Sequence, residues 1–210
     1  MTYKTRFQYL LDKARDIAQA SGALNPQLPP LFFFTDPKRT PHPEDIAIHL
    51  PAGCGVIYRH FGEAHALQRA RLLRKIAEDN GLTLLIGEDD AMAHEVEAHG
   101  VHLRQASQGR ACDLRVKHPH LKLTVACHDM DSLRRLDGDS ALDAVFISPI
   151  FASHSPSAAN VTPLGAKGVR DWTALTGRPV YGLGGITYDN IASLHDSGLS
   201  GIGAIDAFHL

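Results

Sequence analysis

The sequence predicts an α/β fold, a parallel (β/α)8 TIM barrel, and three observations carry that prediction. Short apolar runs alternate with amphipathic helical segments along almost the whole chain of 210 residues. Eight such runs have strand length, the number that closes a barrel. Several are apolar at every position, as in Leu31-Phe32-Phe33-Phe34, which suits a parallel sheet covered by helices.

Chain length fits one domain, organised as an N-terminal helix and Pro-rich linker over 1–30 and the barrel over 31–210. A hydrophobic fraction of 44% with 21% charged residues is that of an ordinary globular protein able to bury a core. The formal net charge of -2 gives no general attraction to nucleic acid or to an anionic membrane. No run approaches the roughly 18 apolar residues of a membrane span. Met1 to Arg6 leads into a charged helical pattern, unlike a signal-peptide core. The three cysteines, Cys54, Cys112 and Cys127, form no Cys-x-x-Cys pair, against both a disulfide framework and a thiolate zinc site. A cytoplasmic protein, with a homo-oligomer as a possible assembly, is the expectation.

In order, Leu10, Leu11, Ala14, Ile17 and Ala18 recur at helical spacing up to Ser21-Gly22, and Pro26, Pro29 and Pro30 make a stiff linker to the barrel. The first strand is Leu31 to Thr35, stopped by Asp36-Pro37. A short helix is expected at Pro43 to Leu50 and the second strand at Gly55 to Arg59. Glu63 to Asn80 is a long amphipathic helix with Gly81 as its C-terminal cap. Strands at Leu82 to Ile86 and Val101 to Leu103 flank a helix at Asp90 to Ala98. A poor helix near Gln108 to Lys117 precedes the strand Leu121 to Ala126, and Asp129 or Asp131 caps the next helix. Ala144 to Ile147 is the sixth strand. Ser148 to Thr162 is rich in Ser, Pro, Ala and Asn and is long for a βα connection, which marks it as functional or mobile. A helix at Leu164 to Leu175, a strand at Pro179 to Leu183, a helix at Tyr188 to Ser197 and a strand at Gly201 to Ile205 complete the pattern. No eighth helix follows within the sequence, and the N-terminal helix is a candidate to cover the face this leaves.

Barrel enzymes place their chemistry at the C-terminal ends of the strands. That rule nominates Asp36, Arg59 with His60, Glu88 to Asp90, Arg104 with Gln105, His128, Ser153 to Ser155, Gly184-Gly185, and Ile205-Asp206. Gly184-Gly185-Ile186 followed by Thr187 and Asp189 reads as a strand, a glycine turn and a helix start, where bare N–H groups favour an anion. It reads equally as a plain strand-to-helix turn until other residues are added. Arg59 either grips a phosphate bidentately or pairs with a carboxylate at the rim. Ser153 and Ser155 either donate to phosphate or solvate a loop. His128 is placed to move a proton, although it is one of 13 histidines. Glu88-Asp89-Asp90 either binds magnesium through oxygen or is an acidic helix start. Cys127 beside His128 reads as a nucleophile or, more simply, as a small buried residue.

Taken together these residues resemble the thiamine phosphate synthase and thiazole tautomerase (TenI) superfamily. The resemblance rests on Phe34-Thr35-Asp36, Arg59, Gly100-Val101-His102-Leu103 with Gln105, His128, Ser148-Pro149-Ile150-Phe151, Gly165, Gly184-Gly185-Ile186, and Gly201 to Ala207, in that order. It implies a barrel that binds thiazole phosphate or thiamine phosphate. It puts phosphate on Ser153, Ser155, Gly184, Gly185, Ile205 and Asp206, with Arg59 also binding substrate. It implies that His128 is an acid/base residue.

Several residues depart from the synthase pattern. The strand-two motif Gln-Leu-Arg-Glu-Lys is Ile57-Tyr58-Arg59-His60-Phe61 here, and an Asn-Asp pair after strand three is Gly87-Glu88. A metal-binding aspartate after Gly-Val-His-Leu is Ser107, and Thr-x-Thr-Lys in the strand-six loop is Ser153-His154-Ser155-Pro156. At the end of strand eight, Asp206 replaces a serine and would repel a phosphate unless protonated or turned aside. Mg2+ is therefore implied only if synthase activity is retained, with Glu88 as its ligand. Two enzyme readings stand: a diverged synthase joining an aminopyrimidine diphosphate to thiazole phosphate, and a tautomerase-like proton transfer on a thiazole phosphate. A non-catalytic binder of thiazole or thiamine phosphates is the alternative.

Overall fold

A computed structural model describes residues 2–22, 27–138, 141–153 and 161–209. Eight parallel strands close into a barrel in sequential order: β1 (Leu31–Phe34), β2 (Gly55–Tyr58), β3 (Thr83–Gly87), β4 (Gly100–Leu103), β5 (Lys122–Cys127), β6 (Ala144–Ile147), β7 (Val180–Gly182) and β8 (Gly201–Ala204). β1 pairs with β8 through Leu31 opposite Ile202 and Phe33 opposite Ala204, which completes the closure expected from the strand count.

Alternation along each strand sorts side chains to the two faces. Phe32 and Phe34 point into the barrel with Ile57, Leu85, Phe146 and Tyr181, whereas Leu31 and Phe33 join the outer core against the helices. The interior rings meet edge to face: Phe32 on Phe146 at 5.6 Å and Phe34 on Phe146 at 5.0 Å between centroids. Facing positions are glycine because no room is left. A Cβ on Gly55 would lie 2.2 Å from the Phe32 ring, one on Gly201 2.4 Å from Tyr181, and one on Gly203 2.5 Å from Phe34.

The helices are α1 (Tyr3–Ala20), α2 (Pro43–Ala47), α3 (Ala66–Asn80), α4 (Asp90–Glu95), α5 (Ala111–Lys117), α6 (Met130–Asp137) and α7 (Gly165–Thr173). Helix α3 ends at Gly81 in the left-handed conformation, as the sequence predicts. Helices α4 and α6 begin at Asp89 and Asp129, whose carboxylates accept from the N–H groups of Met92 and Ser132.

Several helices are shorter than expected: α2 ends at Ala47 rather than Leu50, α4 at Glu95 rather than Ala98, and α7 spans Gly165–Thr173 rather than Leu164 to Leu175. α3 begins at Ala66 rather than Glu63, because Glu63 is occupied by the Tyr58 hydroxyl and the Arg69 guanidinium. Arg104 to Arg110 yields a 3-10 turn, Gln105–Arg110, before α5. Between β7 and β8 the expected helix Tyr188 to Ser197 is only a 3-10 turn, Ile191–Leu194. Local side-chain bonds compete with the helix there: Asn190 accepts from the Thr187 N–H and donates to the Gly185 carbonyl, and Ser193 Oγ donates to the Asn190 carbonyl.

Helix α1 covers the outer flank of β8 and β1. Its buried face is Phe7, Leu10, Leu11, Ala14, Ile17 and Ala18, and these residues belong to the same core as the outer faces of the strands. Phe7 meets Phe208 at 5.2 Å, Phe208 meets Phe33 at 5.2 Å, and Ser21 Oγ donates to the Leu199 carbonyl. Beyond β8 the described residues form a 3-10 turn, Asp206–Phe208, against which α1 packs.

Gly100 tests the close packing of the barrel. A Cβ there would lie 2.1 Å from the Lys122 carbonyl oxygen, backbone that cannot swing away. Gly100→Ala is expected to cost about 1–3 kcal/mol, a fall of roughly 2–10 °C in melting temperature. Gly138→Ala, where a Cβ meets nothing, should leave it within about a degree. Parallel thermal melts of the two variants make the comparison.

Candidate functional site

At the C-terminal ends of the strands a cavity of about 1430 Å³ opens. Every strand except β3 contributes through its end or the loop after it, from Phe34 and Asp36 after β1 to Ile205 and Asp206 after β8. The cations at its wall are Lys38, Arg39, Arg59, Arg104 and Arg135, against the carboxylates Asp36 and Asp206. Such a mouth favours an anionic ligand.

The two carboxylates share a single guanidinium. Arg39 donates to both oxygens of Asp206 at 3.3 Å and to Asp36 at 3.1 Å. Asp36 also accepts from the N–H groups of Lys38 and Arg39, both at 3.1 Å. Burial alone would raise its pKa, but these bonds and the Arg39 charge hold it below the usual carboxylate value. The repulsion expected between Asp206 and a phosphate is thereby offset.

Arg59 follows β2 and is fixed by its Nε, which donates to the Thr35 carbonyl at 2.8 Å. Its guanidinium lies 5.4 Å from the Phe34 ring and 5.5 Å from the Phe61 ring. Nη2 is buried without a hydrogen-bond partner, with Asp36 Oδ2 at 3.9 Å. Burial lowers the Arg59 pKa to about 10, so the side chain remains charged at neutral pH.

His128 stands just after β5, exposed at the cavity wall. Its Nδ1 is 2.9 Å from Ser148 Oγ and 3.4 Å from the Ser148 carbonyl oxygen, and its N–H donates to Gln105 Oε1 at 2.6 Å. Gln105 is itself held by Asp129 and Ser132, on the start of α6. Below it His102 is buried in β4 beside Thr124 Oγ1 at 2.9 Å. Burial first, then the charges of Arg59 and His128, push His102 down to about 3, so its ring is neutral at pH 7. Cys127 is buried and its thiol donates to the Asp129 carbonyl. Burial raises its pKa to about 11, which keeps it a thiol and removes it as a nucleophile.

Gly184 and Gly185 take φ of 95° and 67°, conformations that suit glycine. The N–H groups of Gly184, Gly185 and Ile186 have no partner among the described residues, whereas that of Thr187 is taken by Asn190. The reason for glycine at 185 differs from the one expected. A Cβ there would strike the Ala152 carbonyl at 2.4 Å and Phe151 at 2.6 Å, so packing against the β6 loop by itself requires glycine. A bulky substitution there would displace the loop and would not isolate an anion contact. Ser153 lines the cavity on that loop; Ser155 lies outside the described residues.

Glu88 does not line the cavity. At a φ of 67°, its carboxylate accepts from the Arg104 N–H, from Ser107 Oγ at 2.6 Å and from Arg104 Nε at 3.2 Å, with Arg110 at 3.9 Å. Asp89 caps α4, and Asp90 pairs with Arg110 at 2.7 Å and Lys117 at 3.0 Å. These donors do not fit Mg2+: the carboxylates are already bonded, and guanidinium groups stand where a cation would sit. No group of three or more His, Cys, Asp or Glu side chains suited to a metal occurs among the described residues.

The sequence alone did not assign roles to Lys38, Arg39, His102 or Arg135. Their signal was position, four and five residues past the end of β1 for Lys38 and Arg39, inside β4 for His102 and on the second turn of α6 for Arg135, and such positions are too common to single them out.

Glu88 is expected to be a clamp between the end of β3 and the turn after β4. Burial opposes ionisation, but the Ser107 and Arg104 contacts win and lower its pKa. Its stabilisation is therefore full above the unfolded value of about 4.3 and lost as pH falls through the folded value. Glu88→Gln should lower the melting temperature by about 2–6 °C at pH 7, with the gap closing below about pH 4. Added Mg2+ should shift neither protein; a Mg2+-dependent rise in the unmodified chain alone would restore Glu88 as a metal ligand.

Comparison with known proteins adds the family. The chain matches the model of the family described as Thiamine monophosphate synthase over residues 32–208. It is 29% identical over 139 residues to the thiamine-phosphate synthase of Leuconostoc citreum, covering 66% of this chain and 65%, just under two thirds, of that one. The thiamine-phosphate synthase of Lactococcus lactis subsp. cremoris (strain MG1363) is 28% identical over 168 residues, 77% of this chain and 76% of the relative. A protein named putative thiamine-phosphate synthase 2 from Aquifex aeolicus is 32% identical over 139 residues, 66% of this chain and 73% of the relative. Among solved structures, thiamine phosphate pyrophosphorylase from Pyrococcus furiosus superposes with a TM-score of 0.71 at 18% identity, covering 85% of this chain and 86% of that one. The YdjI aldolase from Escherichia coli K12 superposes with a TM-score of 0.61 at 12% identity, covering 89% and 79%. At these identities the superpositions establish the barrel, which unrelated chemistries share. The family follows from the sequence match, which runs from β1 to the turn after β8: this chain belongs to the thiamine monophosphate synthase family.

Proposed function

We propose that the chain acts on a thiazole phosphate in thiamine biosynthesis, by tautomerase-like proton transfer with His128 as the acid/base residue. The observation that supports this most is the way His128 is held. Its backbone is tied to Gln105 and its Nδ1 to Ser148, at the wall of a cationic cavity. With an Nδ1–H donated to Ser148 Oγ at 2.9 Å, Nε2 carries the lone pair that accepts a proton. His128 would take a proton from one ring position and return it at another, so no co-reactant is consumed. The ligand's phosphate would rest on the Gly184, Gly185 and Ile186 N–H groups with Ser153 on the same cavity wall, and Arg59 would face a second polar group of the ligand. The neighbouring Ile205 and Asp206 close that side, Asp206 with its charge held by Arg39.

A second reading, a diverged thiamine phosphate synthase, is favoured by the cation-rich wall and by the names of the curated relatives. It needs stabilisation of a diphosphate leaving group, for which the donors around Glu88 offer no Mg2+ site.

Purified protein assayed with both thiazole tautomers, and separately with the pyrimidine diphosphate and thiazole phosphate, separates the readings. Tautomer interconversion is expected, with His128→Ala slowing it about 100-fold or more. Ser148→Ala, which frees the ring to rotate, should slow it roughly 10-fold. Efficient Mg2+-dependent synthase turnover by the unmodified chain would overturn the first reading. Tight calorimetric binding of thiazole or thiamine phosphates without turnover would make the protein a binder.

A further inference from the structure

Phe61 is 67% exposed. The other large apolar side chains exposed among the described residues are Tyr3, Ile48, Leu72, Val116 and Val161, and none of them lines the cavity, whereas Phe61 does. An aromatic ring left in water at the wall of a ligand cavity is the usual form of a binding platform.

Its position is built. Phe61 adopts a φ of 47°, a conformation that disfavours a bulky residue, and Gly62 follows at 81°. The turn is closed by His60, whose Nδ1 accepts from the Gly62 N–H at 3.0 Å and whose carbonyl accepts from the Glu63 N–H at 3.0 Å. The ring is thereby set 5.5 Å from the Arg59 guanidinium, whose buried Nη2 lacks a hydrogen-bond partner. An exposed aromatic ring and the guanidinium it lies against thus share one wall of the cavity.

We propose that Phe61 is a specificity-determining residue, a stacking platform that selects ligands carrying a planar ring next to an anionic or strongly polar group. The inference rests on the anion-binding reading of the cavity and adds the class of the group bound beside the anion. A ring stacked on Phe61 covers the Arg59 guanidinium from water, which strengthens the attraction of its charge for the ring's polar substituent. An open-chain phosphate of the same charge gains neither contact.

Calorimetry with two probes tests this: a thiazole phosphate, and glycerol phosphate as a monoester without a ring. Phe61→Ala is expected to weaken the thiazole phosphate about threefold to tenfold, with glycerol phosphate unchanged within about twofold. Phe61→Gly relieves the backbone at this φ and cannot fail through strain, and it should show the same selective loss. Phe61→Trp should keep the affinity. Equal losses for both probes, or no loss for either, would overturn the platform while leaving the cavity an anion site. Failure of the unmodified chain to bind either probe would overturn the anion reading and this inference with it.

Discussion

The volume inside the barrel is fixed by the closure of eight strands, and aromatic rings fill it. Phe32, Phe34, Phe146 and Tyr181 occupy the interior, and Gly55, Gly201 and Gly203 are glycine because those rings stand where their side chains would be. Large and small residues on neighbouring strands are one packing solution, so neither can change alone. The uppermost layer of this interior, Phe34 with His102 against it at 5.2 Å, is also the floor of the cavity. The site is therefore built directly on the core, and Arg59 lies over a ring that belongs to it.

On that floor, electrostatics arranges the rim. Arg39 spans Asp36 from the β1 loop and Asp206 from the end of β8, so the seam at which the barrel closes is also tied by an ion pair at its mouth. The pairing offsets one of the two negative charges that would oppose an anion, and Arg59, Arg104, Arg135 and Lys38 keep the balance of the rim positive. A similar logic disposes of the acidic run after β3, where arginines and a serine absorb Glu88 and Asp90 into the scaffold.

The barrel was legible because its evidence is periodic. Leu31 to Phe34, Val56 to Tyr58 and Leu84 to Ile86 are strands whichever way their neighbours pack, and Gly81 after Asn80 announces a helix end. The segment after Gly185 was less legible, since Asn190 and Ser193 bond to their own backbone and a helical pattern of apolar residues does not reveal that competition. At the site, Arg59, His128 and the Gly-Gly turn could be placed from strand ends. That Asp206 is paired depends on Arg39, 167 positions away in sequence, and no local pattern connects the two. Gly185 was legible as glycine but not in its reason, because the backbone of Phe151 and Ala152 approaches it from another loop.

The contact of Phe7 with Phe208 joins residues about two hundred positions apart. During synthesis on the ribosome the apolar stripe of α1 would emerge about two hundred residues ahead of Phe208, the ring it packs against. For most of that time Phe7, Leu10, Leu11 and Ile17 would have no native surface to cover. Closing so long a loop is slow, and apolar surface kept waiting is open to mistaken association. The helix that seals the finished barrel is thus the segment of the nascent chain most in need of shielding, by transient local collapse or by a chaperone.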